Sequence, residues 1–336
     1  MFFSNQKSIL GIDIGTADIK VAQITHGSKK VLDTYGIVNL SYQIANTDSK
    51  VAITKTAELL NELLAHAQVT TKRCVISLPN SAVFTSVIQM PKMSDNDLAQ
   101  ALQFEAKKYV PLPAAEVVLS WSIVETNPKT NTMDVLLTAV PKYVQESYMK
   151  LFELSGLDLE IIEIEALALI RSLVFDTRQN NVIIDIGAKT TGINFIKNGF
   201  LQLSRSINVG GDTITNRIAE VLRISEIRAE QFKKDFGVSE TLFLPEAIKP
   251  ILDTIKNEAR RLLTIYRARG VAVDKIVLVG GGSGLPGLVE YFGDLGTAVE
   301  RGNPLQSLTF PEDIALVLRR FALHLPVAIG LALRNE

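Results

Sequence analysis

The chain has 336 residues, 47% hydrophobic and 21% charged, with a formal net charge of -1. That length predicts about two domains with cores of their own, and the near-neutral balance removes the electrostatic case for nucleic acid, which needs a basic face. One cysteine, Cys74, excludes a disulfide framework and fits a reducing compartment, while the three histidines, His26, His66 and His324, have no metal-ligand spacing and read as surface or core filler.

The opening MFFSNQKS is too short for a signal peptide, and no apolar run approaches the roughly 20 residues of a membrane span. A soluble, cytoplasmic protein without direct membrane insertion is expected. Residues 11–20, GIDIGTADIK, with apolar residues on either side, predict two strands joined by a tight turn. Such a turn can hold phosphate. Gly15 lets the backbone approach an anion, Thr16 offers a hydroxyl, Lys20 a point charge, and Asp13 is placed to order a hydrated magnesium ion. The same pattern also serves as a plain hairpin. A strand at 31–40, a helix at 51–67 with Ile53, Ala57, Leu60 and Leu64 on one stripe, and a buried strand at 74–78 follow.

Between Ser81 and Gly156 the pattern changes. A half-buried strand at 83–90 leads to a helix capped by Ser94, with acids at its start and Lys107 and Lys108 near its end. Strands at 116–125 and 133–141 flank the turn-rich NPKTN, and a helix at 143–155 stops at Gly156. This β-α-β-β-α module carries none of the acids or glycines of a catalytic loop and reads either as a plain folded insertion or as a protein-contact platform. Beyond it, LEIIEIEALALIRSL predicts a strand and a helix. Its Glu163 and Glu165, flanked by Ile, Ala and Leu, read as strand-end or helix-cap residues.

The hairpin design then repeats. Residues 181–199, NVIIDIGAKTTGINFIKNG, place Asp185 at a strand end, Gly187 in the turn, and the hydroxyls of Thr190 and Thr191 after it. Lys189 in that turn can neutralise phosphate but supplies no base. Gly210, Gly211 and Asp212 open a helix whose N-terminal amides can hold an anion or a sugar hydroxyl. Helices at 213–222, 225–236 and 245–269 follow. The last has an apolar face opposite Lys256, Glu258, Arg260 and Arg261, which read as solvated. Residues 275–287, KIVLVGGGSGLPG, run a buried strand into Gly280, Gly281 and Gly282, where bare backbone lets a flat ring lie close. Segments 299–304 and 311–325 then complete the second half, ahead of a last helix at 326–333.

These three glycine turns, in this order, resemble those of the actin, Hsp70 and sugar kinase superfamily, in which two similar lobes clamp ATP between two phosphate hairpins and an adenosine loop. Asp13, Gly15, Thr16 and Lys20 match the first phosphate motif, with Ala17 beside them. Asp185, Gly187, Thr190 and Thr191 match the second, and Gly280, Gly281, Gly282 and Ser283, followed by Leu285, the adenosine motif. Ala229-Glu230-Gln231-Phe232-Lys233 resembles the helix whose Glu and Lys reach ribose and adenine. The resemblance implies an α/β, actin-like, two-lobed duplicated fold binding ATP and Mg2+, with Asp13 and Asp185 on the metal and at most slow hydrolysis. It divides the chain into a first lobe (1–80 and 157–178), the insert (81–156), a second-lobe core (179–205 and 274–336) and a helical subdomain (206–273).

The insert narrows the resemblance to the FtsA and PilM branch. ALQFEAKKYVPLPAAEVVLSW, RSINVGGDTITNRIAEVL, VGGGSGLPGLVEYF and VAIGLALR are similar to segments of the PilM family of type IV pilus assembly proteins, and the chain shows no linker with an amphipathic membrane helix of the kind FtsA carries. The PilM resemblance implies a cytoplasmic scaffold at the inner face of the membrane, recruited by the N-terminal tail of a PilN-like protein. Pilus motor or platform proteins and self-association are further implied contacts. An FtsA-like division protein that polymerises is the alternative. A small-molecule kinase of the superfamily would need a carboxylate base beside a substrate pocket, and no second polar constellation appears.

Overall fold

The computed structural model describes residues 7–40, 49–238 and 244–334; residues 1–6, considered above as a leader, lie outside these. Strands β1 (Lys7–Ile14) and β2 (Asp18–His26) form the first hairpin, closed where Ile14 pairs with Ile19, with Asp13 opposite Lys20. β3 (Lys30–Asn39) extends it antiparallel. Helix α1 (Lys50–His66) starts at Ser49, whose hydroxyl accepts from the Ala52 amide, and buries Ile53, Ala57 and Leu60, three residues of the expected stripe. β4 (Arg73–Leu78) then runs parallel to β1.

The insert comprises β5 (Phe84–Pro91), α2 (Asp95–Glu105), β6 (Val117–Asn127), β7 (Thr132–Pro141) and α3 (Lys142–Ser155), in the expected β-α-β-β-α order. β7 lies between β5 and β6 and is buried on both faces. Val135, Leu137 and Ala139 face the α2 side, where Leu98 and Leu102 cover them. Leu136 faces the other way and joins Val144, Tyr148, Leu151 and Phe152 of α3 in the core of the first lobe, beside Leu60 and Ile76. By packing, therefore, α3 lies with α1 on the lobe, and the insert's own core draws on β5, α2, β6 and β7.

β8 (Asp158–Ile164) completes a sheet of order β3-β2-β1-β4-β8, and α4 (Glu165–Leu173) leads away from it. The second half repeats this design. β9 (Asn181–Ile186), β10 (Thr191–Lys197) and β11 (Phe200–Ile207) are followed by helices α5 (Gly211–Leu222), α6 (Glu226–Phe236) and α7 (Leu244–Ala268). β12 (Lys275–Val279), α8 (Leu288–Phe292), β13 (Ala298–Arg301), α9 (Glu312–Phe321) and α10 (Pro326–Ala332) end the chain. The second sheet is ordered β11-β10-β9-β12-β13. In both sheets the central strand carries the aspartate at its end, pairs antiparallel with its hairpin partner, and pairs parallel with the strand on its other side.

Two expectations change here. Lys256 of α7 is not solvated: it is 7% exposed, lies 4.4 Å from the centroid of the Tyr291 ring and pairs with Asp294 at 2.7 Å. Segment 311–325, expected to complete the second lobe, and its flanking residues also reach the first, while Leu323 and His324 touch the glycine loop. Leu305, Leu308, Leu318 and Ile329 bury Ala22, Ile24 and Leu32, and the Leu32 amide donates to Thr309 O at 2.9 Å. Among the described residues no single helix is long and apolar enough to cross a membrane.

The last helix packs backbone against backbone. α10 is buried along its whole length, between β1 and α4. A Cβ on Gly11 would sit 2.0 Å from Ala328 O, and one on Gly330 would sit 1.9 Å from Ala168 O. Backbone meets backbone at both faces, so neither glycine can be enlarged without moving an element. Arg171 Nε also donates to Gly330 O at 2.8 Å, and Glu163 binds both Arg171 and Arg334. Gly330→Val and Gly11→Val are each expected to lower the unfolding free energy by about 3 kcal/mol, measured as a reduced urea midpoint at unchanged slope.

Candidate functional site

The two hairpin turns and the glycine loop face one cleft of about 450 Å3. It is built where the strand ends of both sheets converge, the position at which open α/β folds hold ligands. Asp13, Lys20, Glu165 and Asp185 line its base. Gly15, Thr16, Ala17, Gly187 and Thr190 come from the hairpins, and Gly211, Asp212, Glu230 and Lys233 from the helical region. Gly280, Gly281, Gly282 and Leu285 form the remaining wall.

Asp13 is buried and accepts from Lys20 Nζ at 3.4 Å and from Ser77 Oγ at 3.3 Å. Burial raises its carboxyl above the ordinary range, against the pull of Lys20. Burial, and then the charge of Asp13, push Asp185 up to about 6. Glu165, the first residue of α4, accepts from the Asn80 amide at 3.0 Å. Burial, followed by Asp13 and Asp185, pushes it up to about 8. Three carboxyls thus share a poorly hydrated space with one ammonium group, and each resists ionising beside the others. Among the described residues no three acids, histidines or cysteines stand close enough together to cage a metal ion, so the set offers unneutralised negative charge and not a ready-made metal site.

The glycine loop belongs to the same unit. Gly280 has φ +82°, and a Cβ there would lie 2.3 Å from Asp185 Oδ1. Only glycine allows the loop to close on the second hairpin's acid. Opposite, Glu230 and Lys233 pair at 2.5 Å, with Thr215 Oγ1 at 2.6 Å from the carboxylate and 2.8 Å from Lys233 Nζ. Burial works to raise the Glu230 carboxyl, but the hydrogen bonds from Lys233 and Thr215 outweigh it and hold it low. The end of α6 is tied to the loop by the Val238 amide, which donates to Pro286 O at 2.8 Å.

Four predicted site residues do not line the cleft. Thr191 is fully buried and donates to Val209 O at 2.7 Å, and Ser283 likewise donates to Gly280 O at 2.7 Å; both hydroxyls brace the turns from behind. Lys189 is exposed on an outer groove with Arg217 and Glu220. Gly210 packs on Ala188, whose carbonyl oxygen lies 2.4 Å from where its Cβ would be. The α5 amides expected to hold an anion are already engaged: Gly211 donates to Gly187 O at 2.9 Å and Asp212 to Ala188 O at 2.8 Å. That helix therefore buttresses the second hairpin.

Sequence reasoning underweighted Glu165 and passed over Asp18, Asn80 and His324, all of which line the cleft. The position of Glu165 at a strand-to-helix junction was the available signal. His324 carried none. It sits against Gly281 because the segment bearing it runs from the first lobe past the glycine loop, where Leu323 O accepts from the Gly280 amide at 2.9 Å.

Comparison with known proteins agrees with this geometry. The family model described as "Type IV pilus assembly protein PilM" matches residues 11–336. A chain of a solved PilM-PilN type IV pilus biogenesis complex superposes with a TM-score of 0.86 at 25% identity, covering 97% of this chain and 98% of that one. MreB5 of Spiroplasma citri bound to AMPPNP shares the fold, at a TM-score of 0.53 and 16% identity over 96% and 94% of the two chains. The cell division protein FtsA of Streptococcus pneumoniae serotype 2 (strain D39 / NCTC 7466) is 25% identical over 336 residues, 83% of this chain and 72% of its own. That relative is distant and the full-length family match is to PilM, so the FtsA alternative is not favoured. The actin-like fold with its interlobe cleft and this match across nearly the whole sequence lead to one conclusion: the chain belongs to the PilM family of type IV pilus assembly proteins.

Proposed function

We propose that this chain is a cytoplasmic ATP-binding scaffold of the type IV pilus inner-membrane platform, gripping the N-terminal tail of a PilN-like membrane protein and recruited to the membrane through it. The observation that carries the reading is the pair of aspartate hairpins facing a glycine loop across one cleft, in a chain of the PilM family. ATP would lie with its phosphates between the Gly15 and Gly187 turns and its nucleoside between the Gly280 loop and the Glu230–Lys233 pair. Asp13 and Asp185 would hold magnesium, which supplies the positive charge their shared pocket lacks.

The tail would be ordered as an extended segment against the insert and the first lobe, a common mode of peptide capture. Nucleotide and tail have a physical route to each other. Leu201 of β11, in the second lobe, is buried among Val83, Val124 and Leu136 of the insert region, and Lys197 of β10 pairs with Glu125 of β6 at 3.0 Å. Closure of the lobes on a nucleotide therefore acts on the insert.

Two outcomes are expected. Isothermal titration yields binding of ATP with magnesium, and the affinity for a peptide of the PilN-like N-terminal tail differs between the nucleotide-free and ATP-saturated protein, with the reciprocal change in ATP affinity that linkage requires. Identical peptide affinities in the two states would remove the nucleotide from the function.

The second concerns pH. Asp185 and Glu165 have carboxyls raised to about 6 and about 8 in the folded protein, well above their values in an unfolded chain, so the native state binds more protons than the unfolded one over that span. Without nucleotide and magnesium, stability falls as pH rises towards about 8 and levels off above it. Between pH 6 and 8 Glu165 contributes a falling slope of less than the ~1.4 kcal/mol per pH unit of one full proton, with the burial-raised Asp13 adding to the fall and the burial-lowered His324 opposing it. Glu165→Gln flattens this limb in urea titrations, and saturating magnesium and ATP flatten it in the wild type.

A further inference from the structure

The first phosphate turn already holds an anion of its own. Asp18, the first residue of β2, lines the cleft and places its carboxylate over the bare backbone of Gly15. A Cβ on Gly15 would lie 2.9 Å from Asp18 Oδ1 and 3.3 Å from Lys20 Nζ. Lys20 binds this carboxylate directly, and Asp13 at 3.4 Å. With its side chain 11% exposed, Lys20 has little water to turn to, so these two acids satisfy it. The Gly15 amide itself donates to Asp18 O at 2.9 Å, so the group that a nucleotide phosphate seeks here is the Lys20 ammonium, beside a glycine that leaves room to approach it, and the carboxylate of Asp18 stands there.

The two acids are not equivalent. Asp13 is fixed within β1, is 5% exposed and also holds Ser77. The Asp18 side chain is 24% exposed at the start of its strand and has solvent to move into. We propose that Asp18 is an internal competitor of the nucleotide phosphates: it occupies Lys20 in the nucleotide-free cleft, must swing out when ATP enters, and so sets the affinity of the site. Binding exchanges one anion on Lys20 for another, and the net gain is the difference between them. A polyphosphate exceeds a single carboxylate in charge and in acceptors, whereas a neutral nucleoside gains nothing from the exchange. Asp18 thereby lowers the affinity for every phosphate ligand while leaving the nucleoside part of the site untouched.

This inference rests on the nucleotide reading, and one set of titrations separates the two. Dissociation constants for ATP with magnesium and for adenosine are measured by calorimetry on the wild type, Asp18→Ala and Asp18→Asn, each checked for an unchanged circular dichroism spectrum. Asp18→Ala is expected to bind ATP about tenfold more tightly and adenosine no differently, with Asp18→Asn between, because its amide oxygen still accepts one hydrogen bond from Lys20. In a Lys20→Met background the gain from Asp18→Ala disappears. A gain that persists there assigns the effect to plain charge repulsion and overturns the proposal. So does an equal gain for adenosine, or ATP binding by Asp18→Ala that is unchanged or weaker. If neither the wild type nor any variant binds ATP or adenosine, the nucleotide reading fails and the competitor role fails with it.

Discussion

The architecture depends on the passage of α10 between β1 and α4. At Gly11 and Gly330 backbone approaches backbone with no side chain between. That close fit lets the end of the chain return from the second lobe and seal the first. Around it, Ile9 and Val75 of the first sheet meet Ile183, Val277 and Val279 of the second, with Leu169, Leu173, Val327 and Leu331 from the two helices filling the space. The lobes therefore share one apolar seam at their base and part only above it, where the strand ends open into the cleft.

The cleft has the opposite character. Asp13, Asp185 and Glu165 converge with too little positive charge to satisfy them: burial raises all three, Asp13 adds to the rise at Asp185 and Glu165, and Asp185 adds to it at Glu165. Such frustration is stable only because the surrounding scaffold is well packed, and perturbed titration of this kind marks a site arranged for a ligand. The supporting elements are already committed. Thr191 and Ser283 brace their turns, α5 closes on the second hairpin through the amides of Gly211 and Asp212, and α6 is latched to the glycine loop through Val238. What faces the cleft is free to respond because what lies behind it is not.

Much of this was legible in the amino-acid order. Both hairpins, the glycine loop and the insert's succession of elements follow from local apolar periodicity and from glycine, which act over a few residues. The return of residues 305–332 to the first lobe was not legible. Periodicity marks that a segment is apolar on one face, but Leu305, Leu308 and Leu318 match a partner more than 270 residues earlier as well as one nearby. Neighbours in sequence are usually neighbours in space, and here that tendency misleads. The same limit hid α3's attachment to α1, the burial of Lys256 against Tyr291 and the arrival of His324 at Gly281. For Thr191 and Ser283 the residue type was informative but the direction of the hydroxyl was not, since a turn offers both a cleft side and a core side.

The middle strand of the insert joins these observations to function. β7 turns Val135 and Leu137 toward α2 and Leu136 toward the lobe, so one strand belongs to two cores. Leu201 reaches that second core from β11, and Lys197 ties β10 to the edge strand β6 through Glu125. The insert is thus carried by the first lobe and gripped by the second. Closely packed interfaces respond to lobe movement by shifting as units rather than by stretching. The Asn80 amide that donates to Glu165 belongs to the turn entering β5, so the base of the cleft and the root of the insert are one hydrogen bond apart. A charge change at Glu165, whether from a proton or from a cation nearby, alters the acceptor that holds this turn in place, and the turn is the one that leads into β5 of the insert.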